Sequence, residues 1–164
     1  IGIQFQGEKH INVPLVLTHK RGESDFKALM MPNDQWQRFH QYIASVAVDS
    51  ERNLLCVTTP IGGCAAIYDL NTRTLIDDIS LPDCAGAAVL PNLNADKAGV
   101  NNANANVKTK AHSGFIVSDG QGQLTALTVN HLATAELARI DNVERIFIDS
   151  KCHLMSFDNH LQAL

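Results

Sequence analysis

A chain of 164 residues with 45% hydrophobic side chains is the size of one ordinary domain and can bury a core of its own. Its 13 basic and 17 acidic residues leave a formal charge of −4, and neither sign is gathered into a block, which argues against a nucleic-acid footprint or a membrane-surface patch. No apolar run approaches the roughly 18 residues of a membrane span, so no span is expected.

The chain opens directly on strand-like alternation, "IGIQFQG" (1–7), with no charged lead and long apolar stretch before it, as though cut from something longer. "VPLVLTH" (13–19) and "DFKALMM" (25–31) follow as further strand-length runs, separated by "GEKHIN" and "KRGES", so three strands of a meander are expected. The segment "PNDQWQRFHQY" (32–42) predicts a short connecting helix, since Trp36 and Phe39 are three apart and Asn33 or Asp34 could cap it. Four strands come next, "IASVAVD" (43–49), "NLLCVTT" (53–59), "CAAIYDL" (64–70) and "TLIDDIS" (74–80).

The pattern then restarts. "GAAVLP" (86–91), "SGFIVSD" (113–119), "QLTALTV" (123–129) and "TAELARI" (134–140) form a second set of four, interrupted by the Asn-, Ala- and Lys-rich stretch 92–112, which is expected to be a surface loop. A third restart at "VERIFID" (143–149) has room for only one or two strands after it, to 164. The start of "GAAVLP" lies 41 residues after that of "SVAVD", and four strands per roughly 40 to 45 residues is the period of a propeller blade. The fold class expected is therefore all-β. About three blades are counted in pieces near 1–31, 43–80, 86–140 and 143–164, too few to close a ring; the rival is an independent sandwich or barrel of short strands.

The four cysteines, Cys56, Cys64, Cys84 and Cys152, form no CxxC pair, so a structural zinc site is not expected. Cys56 and Cys64 flank the turn "TTPIGG" and could face each other across a hairpin, although directly opposed strand positions suit a disulfide poorly and buried thiols are the favoured reading.

"VPLVLTHKRG", the long run from "HQYIASVAVD" through "TTPIGG" to "LPDCAGAA", and the terminal "SFDNHL" resemble the later half of a family of exported bacterial proteins of unknown function. That family is related to the YVTN and WD-repeat propellers. The resemblance implies a ring of about seven blades whose first half is the missing partner of this chain, export to the periplasm on an upstream signal peptide, and genes often found beside imelysin-like iron-uptake lipoproteins. The Asn/Ala-rich stretch departs from the family.

In a propeller, the loops at one end of the sheets converge. Here they would present His40, Tyr42, Asp83, Ser118 and Asp119, although Asp83 after Pro82 and Asp119 before Gly120 also read as ordinary turn acids. Near the end of the chain, "FDNHL" places Asp158 and His160 on one face of an extended strand, either as half of a metal or acid/base pair or as a hydrogen-bonded pair within the fold. The seven histidines never occur at i, i+2 or i, i+4, so no metal and no cofactor is expected. Ser118 in "VSDGQG" lacks both GxSxG and a following helix, so it is not a nucleophile elbow, and "GQGQ" and "PIGG" are hairpin turns, not phosphate loops. Two function classes remain. The preferred one is a non-catalytic periplasmic propeller that binds a protein or small-molecule ligand or acts as a scaffold, with a link to iron uptake implied by the resemblance alone; the other is a metal-handling or hydrolytic propeller using His40, Asp83, Asp119 and His160.

Overall fold

The computed structural model describes residues 1–8, 11–90, 113–134 and 137–149. Among the described residues, ten strands make three antiparallel sheets, and the only helical elements are two 3-10 turns. The short hairpin β1 (Leu17–Thr18) and β2 (Lys27–Ala28) comes first. A four-stranded meander follows in chain order, β3 (Ser45–Asp49), β4 (Leu54–Thr59), β5 (Cys64–Asp69) and β6 (Thr74–Ser80). A second meander repeats that order with β7 (Cys84–Val89), β8 (Ser113–Asp119), β9 (Leu124–Thr134) and β10 (Leu137–Asp149). None of the helical elements is long and apolar enough to cross a membrane.

Strands β4 and β5 are apolar at nearly every position because both of their faces are covered. One face carries Leu55, Val57, Ala66 and Tyr68 against Leu15, Val16, Leu29, Trp36, Phe39 and Ile43 from the first part of the chain. The opposite face carries Leu54, Cys56, Ala65 and Ile67 against Ala87, Phe115, Val117, Leu127 and Val129 of the second meander. A strand with one solvated face would alternate apolar and polar residues; one buried on both sides gives a continuous apolar run. Tyr68, fully buried, donates from Oη to the Met31 sulfur at 2.8 Å and stacks on Trp36 with ring centroids 6.4 Å apart. The outer strand β6 is protected differently, by Asp77 and Asp78 on an edge that would otherwise invite pairing.

The two meanders share one register. Ser45 pairs with Thr58 in the first and Gly86 with Ser118 in the second, so Thr58 and Ser118 occupy equivalent places. Thr58 joins the sheets: its Oγ1 donates to the Ala85 carbonyl at 2.7 Å, while the Ala87 N–H donates to Ser45 Oγ at 3.2 Å. Three turns use the same aspartate device. Asp49 Oδ1 accepts from the Glu51 and Arg52 N–H groups at 3.1 Å, Asp69 Oδ1 from Asn71 at 2.7 Å, and Asp119 Oδ1 from Gln121 and Gln123 at 2.9 Å. Each carboxylate imitates a backbone turn acceptor.

Several expected elements differ. The three opening strands shrink to the β1–β2 hairpin plus isolated bridges Gly2 to Val16, Gln4 to Tyr42 and Met30 to Thr74, because Pro14 has no N–H to continue a ladder and the third run, which buries Leu29 and Met31, leaves Phe26 and Met30 exposed on its other side. The expected helix is instead the pair of 3-10 turns Pro32–Asp34 and Trp36–Phe39, with Asn33 left-handed at φ 52° and no side-chain cap. A three-residue spacing of buried aromatics suits a 3-10 turn as well as an α-helix. The strand expected at 134–140 and the restart expected at 143–149 are one strand, β10, whose "IDN" is absorbed as a register shift between Ile140 and Asn142. Cys56 and Cys64 do not face each other: Cys56 pairs with Ile67 and Cys64 with Thr59, their side chains join opposite faces, and Cys56, Cys64 and Cys84 are all free and buried.

Thr58→Val keeps the side-chain shape but leaves the part-buried Ala85 carbonyl without this bond. Urea unfolding is expected to show a loss of about 1 to 3 kcal/mol, and an unchanged midpoint would mean that this bond does not hold the meanders together.

Candidate functional site

The antiparallel order brings four loops to one end of the sheets: 35–42 before β3, 60–63 between β4 and β5, 81–83 between β6 and β7, and 120–123 between β8 and β9. Polar groups link them in series. Thr59 Oγ1 donates to the Phe39 carbonyl and accepts from the Gly62 N–H, both at 3.0 Å; the Cys84 thiol points at the Thr59 carbonyl at 3.9 Å; the Gly120 N–H donates to the Asp83 carbonyl at 3.2 Å. A Cβ on Gly62 would lie 2.5 Å from the Arg38 carbonyl, so glycine lets the 35–42 segment settle on the 60–63 turn. Arg38 then straps that segment down, with Nε to Asp78 Oδ2 at 2.9 Å, Nη1 to the Gly62 carbonyl at 3.0 Å and Nη2 to Ser80 Oγ at 3.1 Å. The hydrogen bond to Asp78 raises the Arg38 pKa further above its ordinary value.

Between loops 35–42 and 60–63 and the strand-like segment at 11–15 lies a groove of about 630 Å³. Val13, Leu15 and Trp36 form its apolar wall, and Gln37, His40 and Gln41 supply the polar groups. Ile61 at its edge is 64% exposed and Ile11 is 40% exposed. His40 and Gln41 are consecutive left-handed residues, φ 47° and 61°. Side chains with a Cβ adopt that conformation at a cost of roughly 1 to 2 kcal/mol each, and such strain gathers where a surface is shaped for use.

The candidates read from the sequence fall into separate places. His40 lines this groove, with its ring exposed. Tyr42 bridges to Gln4 through the backbone and is not among the residues lining the groove. Asp83, Ser118 and Asp119 come together at the other side of the same end, where Ser118 and Asp119 border a small pocket of about 100 Å³ with Pro82 and Cys84. A Cβ on Gly120 would collide with the Asp83 carboxylate, and Asp119 spends its Oδ1 on turn amides. Ser118 is buried, and its Oγ has no hydrogen-bond partner among the described residues. Asp158 and His160 lie outside the described residues. Among those residues no three His, Cys, Asp or Glu side chains cluster closely enough to hold a metal ion. Reading the sequence missed Trp36, Gln37 and Ile61 as groove residues; the one available signal was a large apolar side chain inside the glycine turn "PIGG".

The thiols behind the site are not set up for chemistry. Burial pushes Cys84 from 9.0 up to about 12 and Cys64 from 9.0 up to about 11, the latter against a downward pull from Arg38, and burial also drives Cys56 and the Tyr68 phenol well above their ordinary values. A nucleophilic cysteine needs the opposite shift.

Residues 1–110 match the family model described as a protein of unknown function, DUF1513. The chain belongs to the DUF1513 family. No curated protein and no solved structure matches it. The DUF1513 match includes every residue of the groove and the first meander, and stops before β8.

The raised thiols predict an alkaline limb of the stability curve. Neutral thiols are favoured by folding, so their contribution is complete below about pH 9, where unfolded thiols titrate, and is lost as pH rises through 11 to 12. Urea melts at pH 8 and 10 should differ by roughly 1 kcal/mol per buried thiol, and the difference should narrow in Cys64→Ala/Cys84→Ala; an equal pH dependence in that variant would contradict the assignment.

Proposed function

We propose that this DUF1513 chain is part of a β-propeller that acts without catalysis, binding a protein partner in the periplasm through the loops at one end of its sheets. The groove beside His40 and Gln41 carries the functional reading: two strained non-glycine residues and the half-exposed to exposed Ile11 and Ile61 frame an apolar recess. Such a surface suits insertion of an apolar side chain from a partner, with the Gln37, His40 and Gln41 side chains fixing its orientation.

The propeller reading is supported by two meanders in the same strand order, a 41-residue offset between the equivalent Ser45 and Gly86, and the burial of β4 and β5 on both faces. Ser118 adds to it. Thr58 reaches the backbone of the following sheet, and Ser118, its equivalent on the outer face of the second meander, is buried with no described acceptor. A further sheet of the ring, packed on that outer face, would supply one. The periplasm and a connection with iron uptake rest on the resemblance of the quoted segments alone.

A photocrosslinking residue placed at Ile61 in cells is the direct test. A discrete protein adduct is expected from position 61 and not from Thr72 at the opposite end of the sheets. Adducts from both positions, or from neither, would argue against this end as the binding surface, and loss of crosslinking only on addition of small metabolites would shift the reading to a small-molecule ligand.

A further inference from the structure

At the opposite end of the first meander a second cleft, of about 580 Å³, opens between the β1–β2 hairpin and the turns after β3 and β5. Its floor is apolar. Val46, Val48 and Leu70 line it, and Val48 is 50% exposed because the short hairpin does not extend far enough to cover the end of β3. Its rim is cationic, with Lys20, Lys27 and Arg73 against a single carboxylate, Glu23, on a chain whose overall charge is −4. Glu23 is taken by Lys27 at 3.0 Å, and Lys20 acts on it only through its field. His19 turns its ring to the Glu23 carbonyl at 2.8 Å. Arg73 makes no side-chain ion pair or hydrogen bond among the described residues. Of the neighbouring carboxylates, that of Asp49 is bound to Arg52 at 3.0 Å, and that of Asp69 accepts from the Asn71 N–H and makes no ion pair with Arg73 among the described residues. Arg73 and Asn53, which also lines the cleft, are both left-handed, at φ 60° and 55°.

We propose that this cleft binds an amphipathic anion, with a carboxylate or phosphate head held between Lys20 and Arg73 and an apolar tail laid over Val46, Val48 and Leu70. The charge and the apolar floor are both needed for the assignment. A simple inorganic anion would leave the exposed floor unused, and a neutral apolar ligand would leave two cations without a partner. Each methylene placed on the floor adds to affinity by the usual burial of apolar area, and the head contributes a charge-assisted hydrogen bond to a guanidinium that presents a fork of donors. The site lies at the other end of the strands from the groove beside His40 and does not depend on it.

Calorimetric titration of the full chain with decanoate, decyl phosphate and decanol tests this. One site per chain is expected for the two anions, with decanol at least about tenfold weaker, since a charge-assisted bond exceeds a neutral one by about that factor. Adding salt should weaken the anions and leave decanol unchanged. Lys20→Ala/Arg73→Ala, at surface positions where the fold can be checked by circular dichroism, should remove the preference for an anionic head; Val48→Asp should weaken all three ligands. A stronger response to decyl phosphate than to decanoate would identify the head as phosphate, and the reverse as carboxylate. Equal binding of decanol and decanoate, unchanged affinity in the double variant, or no binding of either anion would overturn the proposal.

Discussion

Burial of the β3–β6 sheet on both faces is the constraint on which the rest of the structure depends. Its two central strands bury Leu55, Val57, Ala66 and Tyr68 on one side and Leu54, Cys56, Ala65 and Ile67 on the other. Either set exposed to water would forfeit roughly 1.5 to 3 kcal/mol for each large apolar side chain uncovered. The sheet therefore cannot stand alone. The opening segment, which makes only a two-residue ladder of its own, is held by the first face, and the second meander by the other. That is the logic of stacked repeats, in which each unit supplies the cover its neighbour lacks.

Polar groups decide how these layers are set against each other. Thr58 and Ser45 lock β4 and β3 to the start of β7, and Thr59 fixes the Phe39 segment over the first face. Arg38 makes three bonds that span 24 to 42 residues of sequence, holding the 35–42 loop to the turn at 60–63 and to β6. That fastening shapes the groove beside His40: the chain turns sharply between Phe39 and Ile43 to pass from the 3-10 turn into β3, and two residues take left-handed backbone to do so. At the far end the same sheet finishes in aspartate turns whose last residues, Asn53 and Arg73, are again left-handed and border the cationic cleft.

Much of this was legible in the sequence. The strands from β3 to β8 announce themselves as apolar runs closed by turn residues, and the restart at Gly86 marks the second meander. Local signals failed where tertiary structure overrode them. "IDN" at 140–142 has the composition of a turn, yet β10 runs through it because pairing with β9 on both sides outweighs one bulge. Trp36 and Phe39 were recognisable as buried, but a 3-10 turn serves their spacing as well as a helix. Of the site, the loops could be assigned to one end from strand order alone. What could not be read was which side chains share a cavity: His40 and Ile61 meet because Thr59 and Arg38 join segments twenty and more residues apart, whereas Asp83 and Asp119, adjacent in the expected rim, belong to a separate pocket or to turn geometry.

Native-state hydrogen exchange measures the central claim most directly. If each sheet depends on its neighbours for cover, the amides of β4 and β5 will exchange only through global unfolding, and those of Val16, Leu29 and β8 will share the same opening free energy and the same response to denaturant. Exchange of β4 and β5 at a lower free energy than the flanking layers, or a second meander that opens while the first face stays closed with no loss of protection in β4, would show that the sheets stand independently and would contradict the account.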